Sequence, residues 1–239
     1  MKKKVITFGE IMLRLAPEGY HRFVQANSFQ ATYGGGEANV AVSLANYGFD
    51  ARFVTRLPDH EIGQAAVNEL RKYGVDVSHI VRGGSRIGIY FLEKGASQRP
   101  SKVIYDRSGS SISEASPRDF SWEDIFHDAD WFHFTGITPA LNSTLARICL
   151  DACKAAKEAG VTISCDLNYR KKLWSQEEAR KVMTNLCQYV DVCIANEEDA
   201  ADVFGIHASS TDVTKGEVNL DGYREVARQI ANQFHFSKV

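Results

Sequence analysis

The chain has 239 residues with 28 basic and 30 acidic side chains and a formal net charge of −2, which excludes a basic nucleic-acid surface. With 44% hydrophobic residues it can bury a large core, and because its apolar runs are only strand-length, no membrane span is read from it. Met1-Lys2-Lys3-Lys4 leads into only four apolar or β-branched residues before Gly9-Glu10, too short for a secretory apolar region, so the protein reads as cytoplasmic.

Lys3 to Phe8 is β-branched and apolar, predicting a fully buried strand with Gly9-Glu10 at its carboxyl end. From 11 to 33 short alternating pieces, broken by Pro17 and Gly19, predict an antiparallel ribbon. Tyr33-Gly34-Gly35-Gly36-Glu37-Ala38-Asn39 then opens a helix at 37–47, with Val40, Leu44 and Tyr47 at helical spacing. Three glycines before a helix N-terminus suit a polar or anionic ligand, and equally suit a tight connection. Neither the P-loop pattern nor G-x-G-x-x-G is present.

A strand at 51–55 and a helix at 62–73, carrying Ala65, Ala66, Leu70 and Tyr73 on one face, continue a βα grammar. A second ribbon follows at 86–106, and then the grammar resumes. Strands are predicted at 131–134, 161–165 and 190–195, and helices at 141–159, 176–188, 197–204 and 222–234. Phe236 to Val239 reads as the opening of another strand. This predicts an α/β fold with a parallel central sheet flanked by helices: 1–10, 34–85 and 107–239 form the main domain, and 11–33 with 86–106 a small β lid.

Five cysteines without C-x-x-C spacing and seven histidines without ligand spacing give no metal or disulfide framework, and Cys149 and Cys153 read as small buried hydrophobes. Three polar groups do point to a site. Asp166, Asn168 and Arg170 alternate off the strand ending at Cys165, and an extended continuation would align a carboxylate, an amide and a guanidinium, the alternative being a capped loop with Arg170 solvated. Tyr90, Tyr105 and Arg107 come from the second ribbon and would suit a polyhydroxylated carboxylate, although the tyrosines would equally pack the ribbon. Asn196-Glu197-Glu198-Asp199 opens a helix, as ordinary dipole complements or as a water-mediated Mg²⁺ and phosphate site.

Together these motifs carry a resemblance. Gly34-Gly35-Gly36-Glu37-Ala38-Asn39-Val40-Ala41 resembles the first signature of the ribokinase-like (PfkB) carbohydrate kinases. Asp166-Leu167-Asn168-Tyr169-Arg170, Leu173-Trp174 and Thr135-Gly136-Ile137-Thr138-Pro139-Ala140 look like 2-keto-3-deoxygluconate kinases. The resemblance implies a three-layer ribokinase-like fold with a β-sheet lid, transfer of the ATP γ-phosphoryl group to a sugar acid, and Mg²⁺ as cofactor. It implies that Gly35, Asn39, Tyr90, Tyr105, Arg107 and Arg170 bind the sugar acid, and that Asn168, Tyr169, Arg170 and Asn196 lie near the ATP phosphates. Asp199 stands where the family carries Glu, as the metal residue acting through water.

Leu57-Pro58-Asp59-His60-Glu61-Ile62-Gly63 departs from the family's G-x-D-x-x-G. The expected catalytic aspartate belongs to a second signature, G-A-G-D, which would lie beyond Val239. The 239 residues are therefore expected to be the N-terminal portion of a kinase and, alone, inactive, with Arg170 in a supporting role. A sugar acid and ATP are the expected partners, with self-association through the lid. A neutral-sugar kinase such as a fructokinase, or a non-catalytic sugar-binding module, are the alternatives.

Overall fold

The computed structural model describes residues 2–207 and 220–239. The part of the expected main domain at 208–219 lies outside them. The chain divides into two compact units, Met1–Ala115 and Ser116–Val239.

In the first unit β1 (Lys4–Phe8) is the buried apolar strand that the sequence predicts. It is followed by β2 (Met12–Pro17), β3 (Phe29–Gly34) and α1 (Gly36–Asn46). Next come β4 (Asp50–Leu57), α2 (Glu61–Lys72), β5 (Ile80–Arg82), β6 (Ile89–Glu93) and β7 (Lys102–Asp106). β4 pairs parallel with both β1 and β5. The two ribbons form one separate sheet of order β3-β2-β6-β7. Each ribbon is antiparallel within itself, and a parallel pairing of β2 with β6, Leu13 opposite Ile89, joins them.

α1 does not present the predicted face. Its buried residues are Glu37, Ala38 and Ala41, while Tyr47 is 78% exposed. Alanines bring this helix close to the strands beneath it, and they pack in one cluster with Ile11, Phe53, Leu57, Ala66 and Leu70. The Thr7 hydroxyl, buried in β1, donates to the Glu37 carbonyl oxygen at 3.1 Å. α2 likewise rotates away from Tyr73 and buries Gly63, Ala66, Val67 and Leu70. The departure at 58–63 has a local answer: His60 is the N-cap of α2, its Nδ1 accepting from the Ile62 amide at 3.2 Å.

The glycine turn is shaped by the protein itself. Gly35 is extended, with φ −170°, so conformation does not demand glycine there. A methyl group at Gly35 would instead run into the main-chain carbonyl oxygen of Glu10. At Gly34 the nearest atoms to such a methyl are the Tyr90 hydroxyl at 3.5 Å and Asn39 Oδ1 at 3.6 Å, ordinary contact distances.

The second unit comprises α3 (Trp122–Phe126), β8 (Trp131–Thr135), α4 (Ile137–Ala140), α5 (Ser143–Glu158) and β9 (Thr162–Asp166). It continues with α6 (Gln176–Cys187), β10 (Val192–Ile194), α7 (Glu197–Phe204) and α8 (Leu220–Phe234). β8, β9 and β10 are parallel, with β9 in the middle. Of the stripe Leu145, Ile148, Cys149, Ala152, Ala156 and Ala159 that helical spacing predicts, α5 buries all but Ala159, which is its exposed C-cap, and Gly160 follows in the left-handed region at φ +71°. At the chain end Lys238 makes an isolated parallel bridge to Val192, as an opening strand would. All five cysteines are buried thiols that form no disulfide with one another, and burial pushes the Cys193 thiol up to about 12. No helix among the described residues is long and apolar enough to cross a membrane.

His133 lies buried in β8, its Nδ1 2.8 Å from the Ser164 hydroxyl, which in turn accepts from the Trp131 indole at 2.7 Å. Burial pushes the imidazole down to about 4. An unfolded histidine takes up its proton near 6.5, so stability is full above that value and is lost as pH falls towards 4. The span corresponds to about 3 kcal/mol at roughly 1.4 kcal/mol per unit. Urea unfolding of wild type and His133→Gln between pH 7 and pH 4 should show that loss in the wild type and a flatter profile in the variant.

Gly35→Ala should destabilise by at least about 2 kcal/mol, the magnitude of overpacking a core. Gly34→Ala, the same change one residue earlier, should stay within about 1 kcal/mol of wild type by the same measurement.

Candidate active site

In the first unit the carboxyl end of β1 delivers Glu10, which is only 3% exposed. Its Oε2 accepts from Arg107 Nε at 2.8 Å and also from Arg107 Nη2, while Oε1 accepts from the Ser110 hydroxyl at 2.9 Å. Arg107 follows directly on β7 and keeps 14% of its side chain exposed. Its guanidinium lies 5.8 Å from the Tyr105 ring centroid. Tyr105 is the register partner of Tyr90 across β6 and β7, with ring centroids 6.0 Å apart.

The Tyr90 hydroxyl and the Asn39 carboxamide both approach Gly34, at the end of β3. The fold thus gathers five of the predicted residues, Gly35, Asn39, Tyr90, Tyr105 and Arg107, around the glycine turn and the strands of the small sheet. Two features differ from expectation. The bidentate edge of Arg107 formed by Nε and Nη2 is already taken by Glu10, leaving the terminal Nη1 and Nη2 hydrogens for a ligand. Gly35 is required by the Glu10 carbonyl, whether or not a ligand reaches its amide.

Sequence reasoning placed Glu10 at the strand end but gave it no task, and passed over Ser110 altogether. A charged residue directly after a fully buried strand was the available signal, since a buried carboxylate needs partners.

In the second unit the end of β9 carries Asp166. The predicted alignment of Asp166, Asn168 and Arg170 does not form. Leu167 stays extended, its amide donating to the Ile194 carbonyl at 2.9 Å, and then Asn168 turns into the left-handed region at φ +39°. Asparagine is among the few residues that tolerate that region. Gly136 permits this packing, because a methyl there would meet the Leu167 carbonyl oxygen.

The turn returns Tyr169 to α7. Its amide donates to Asp199 Oδ1 at 2.9 Å, and its hydroxyl to the Trp174 carbonyl at 3.2 Å. Asn196 caps α7, its Oδ1 accepting from the Asp199 amide at 2.7 Å. Burial pushes the carboxyls of Asp166 and Asp199 up, and Asp199 raises Asp166 further; the nearby Arg170 charge pulls both down. Arg170 itself is exposed and makes a long contact of 3.5 Å to the Tyr169 carbonyl. Asn168, Tyr169, Arg170, Asn196 and Asp199 are therefore one cluster, held by a helix cap and a main-chain amide.

Comparison with known proteins gives this arrangement its context. A 2-dehydro-3-deoxygalactonokinase of Haloferax volcanii is 37% identical over the whole chain, which covers 71% of it. A 2-dehydro-3-deoxygluconokinase of Bacillus subtilis is 31% identical over 74% of the chain and 55% of its own length. The crystal structure of a 2-dehydro-3-deoxygluconokinase from Thermotoga maritima is 56% identical and superposes with a TM-score of 0.93, covering 98% of this chain and 70% of that one. The ribokinase-like α/β fold with its second, small sheet is the fold expected from the sequence. Residues 2–227 match the model of the pfkB family carbohydrate kinases, and the chain belongs to that family.

Proposed function

We propose that the protein transfers the γ-phosphoryl group of ATP to the primary hydroxyl of 2-keto-3-deoxygluconate or its C4 epimer. The observation that carries the reading is Arg107, immobilised beside Tyr90 and Tyr105 with its terminal edge unspent. A planar guanidinium edge matches a carboxylate, and tyrosine hydroxyls and the Asn39 amide match sugar hydroxyls. The names of the relatives support a sugar acid, and differ among themselves in the epimer.

On the nucleotide side the reading assigns the phosphates to Asn168, Tyr169, Arg170 and Asn196. Among the described residues no three Asp, Glu, His or Cys side chains cluster as a metal cage. Asp166 and Asp199, two carboxyls raised by burial, instead fit an ion held through water and completed by phosphate oxygens, the habit of Mg²⁺. When bound, Mg²⁺ would neutralise charge on the phosphates, and Arg170 would add to that on the transferred group. The acceptor oxygen attacks the γ-phosphorus as the bond to the ADP oxygen breaks, and the hydroxyl proton passes to a carboxylate base, the role that the resemblance gives to the aspartate of the G-A-G-D signature. The same proposal places self-association at the small sheet, where Ile104 and Tyr105 of β7 remain 44% and 50% exposed.

One observation favours a neutral sugar such as fructose: Glu10 already balances the Arg107 charge. Calorimetric titration of the chain with 2-keto-3-deoxygluconate, its C4 epimer and fructose separates the two. The sugar acids should bind, fructose at least tenfold more weakly, and Arg107→Ala or Arg170→Ala should each weaken the acids by roughly 10- to 100-fold, the range for a hydrogen bond to a charged group. Equal affinity for fructose, or indifference to both arginines, would transfer the reading to the neutral sugars.

A further inference from the structure

A carboxylate that is 3% exposed is expensive to bury, and an ion pair that justifies it is rarely there for stability alone. Glu10 is held from every direction. Arg107 takes Oε2, Ser110 takes Oε1, and Gly88 lacks a side chain where Oε1 sits. The Glu10 carbonyl meanwhile occupies the space beside Gly35. One residue therefore touches both the glycine turn and the lid arginine.

The consequence for Arg107 is geometric. A free arginine side chain holds rotamer entropy, which a ligand must otherwise overcome on binding. Glu10 removes that freedom beforehand by engaging Nε and Nη2, and the Tyr105 ring lies along the guanidinium. Of the N–H groups that Glu10 leaves, one on Nη1 and one on Nη2 lie parallel on the terminal edge, the other edge from which a guanidinium donates to both oxygens of a carboxylate.

We propose that Glu10 is the positioning residue that aims the terminal edge of Arg107 at the substrate carboxylate and thereby sets the preference for acid over neutral sugar. This rests on the sugar-acid reading above. Glu10 itself touches no reacting atom; it acts through Arg107, with Ser110 fixing its second oxygen.

The test compares binding of 2-keto-3-deoxygluconate with that of its uncharged carboxamide analogue, which keeps every hydroxyl. Glu10→Asp retains the charge but withdraws it by one methylene. It should weaken the acid about tenfold, the loss of one charge-assisted hydrogen bond, and leave the amide within about twofold. Arg107→Lys should do the same, and adding Glu10→Asp to it should change the acid-to-amide ratio no further. Ser110→Ala, which spares the buried charge pair, should cost the acid about threefold and serves as the deciding variant if Glu10→Asp fails to fold.

Equal weakening of acid and amide in these variants would make Glu10 a structural residue and overturn the proposal, as would an unchanged acid preference. A wild type with no preference for the acid over the amide would overturn the sugar-acid reading itself, and this proposal with it.

Discussion

The first unit is arranged around a buried negative charge. Once Glu10 is placed at the end of β1, its carboxylate must find donors, and Arg107, directly after β7 and almost a hundred residues later, supplies them. The neighbours follow from that choice. Gly88 and Gly35 make room, one for the carboxylate and the other for the main chain, and Ser110 supplies the remaining donor. Close packing of backbone on backbone thus explains a glycine-rich turn that, read as sequence, suggested an anion cradle.

The second unit solves a similar problem with main-chain amides. The loop after β9 leaves the extended path at Asn168 and would have few partners of its own, but the Asp199 carboxylate accepts the Tyr169 amide while Asn196 caps the same helix. An acidic residue in a first helical turn normally answers the helix dipole. Here it also fastens a neighbouring loop, a task for which the short aspartate side chain suffices. Structural bracing and a metal-associated role are compatible, because a carboxylate has two oxygens and several lone pairs.

Most of the architecture could be read from the chain because long periodic segments announce themselves. The stripe on α5 and the apolar run of β1 are set by repeated burial, and the βα alternation from 131 onward follows from them. What escaped had short range or depended on partners. β5, with three residues, and α3, with five, are too brief for a period. The face of α1 was misjudged because Tyr47 and Leu44 outweigh alanines in any hydrophobic reading, whereas close approach to the sheet selects the alanines. At the site, Tyr90, Tyr105 and Arg107 were legible as a polar set on a ribbon. The prior claim of Glu10 on Arg107 was not, since nothing local links residues 10 and 107. The straight alignment of Asp166, Asn168 and Arg170 failed at a single backbone dihedral.

The order of the small sheet also dictates how it can be assembled. Its two hairpins, β2 with β3 and β6 with β7, each close locally, but the seam between them is the parallel pairing of Leu13 with Ile89. Closing so long a loop is entropically slow, and a lone two-stranded hairpin is marginal in water. The first hairpin therefore keeps one edge unpaired until the second, made after the intervening α1-β4-α2-β5 segment, is available to pair with it. During synthesis this makes the 12–34 ribbon an early-made but late-secured part of the unit, with an edge open to mispairing with another nascent copy.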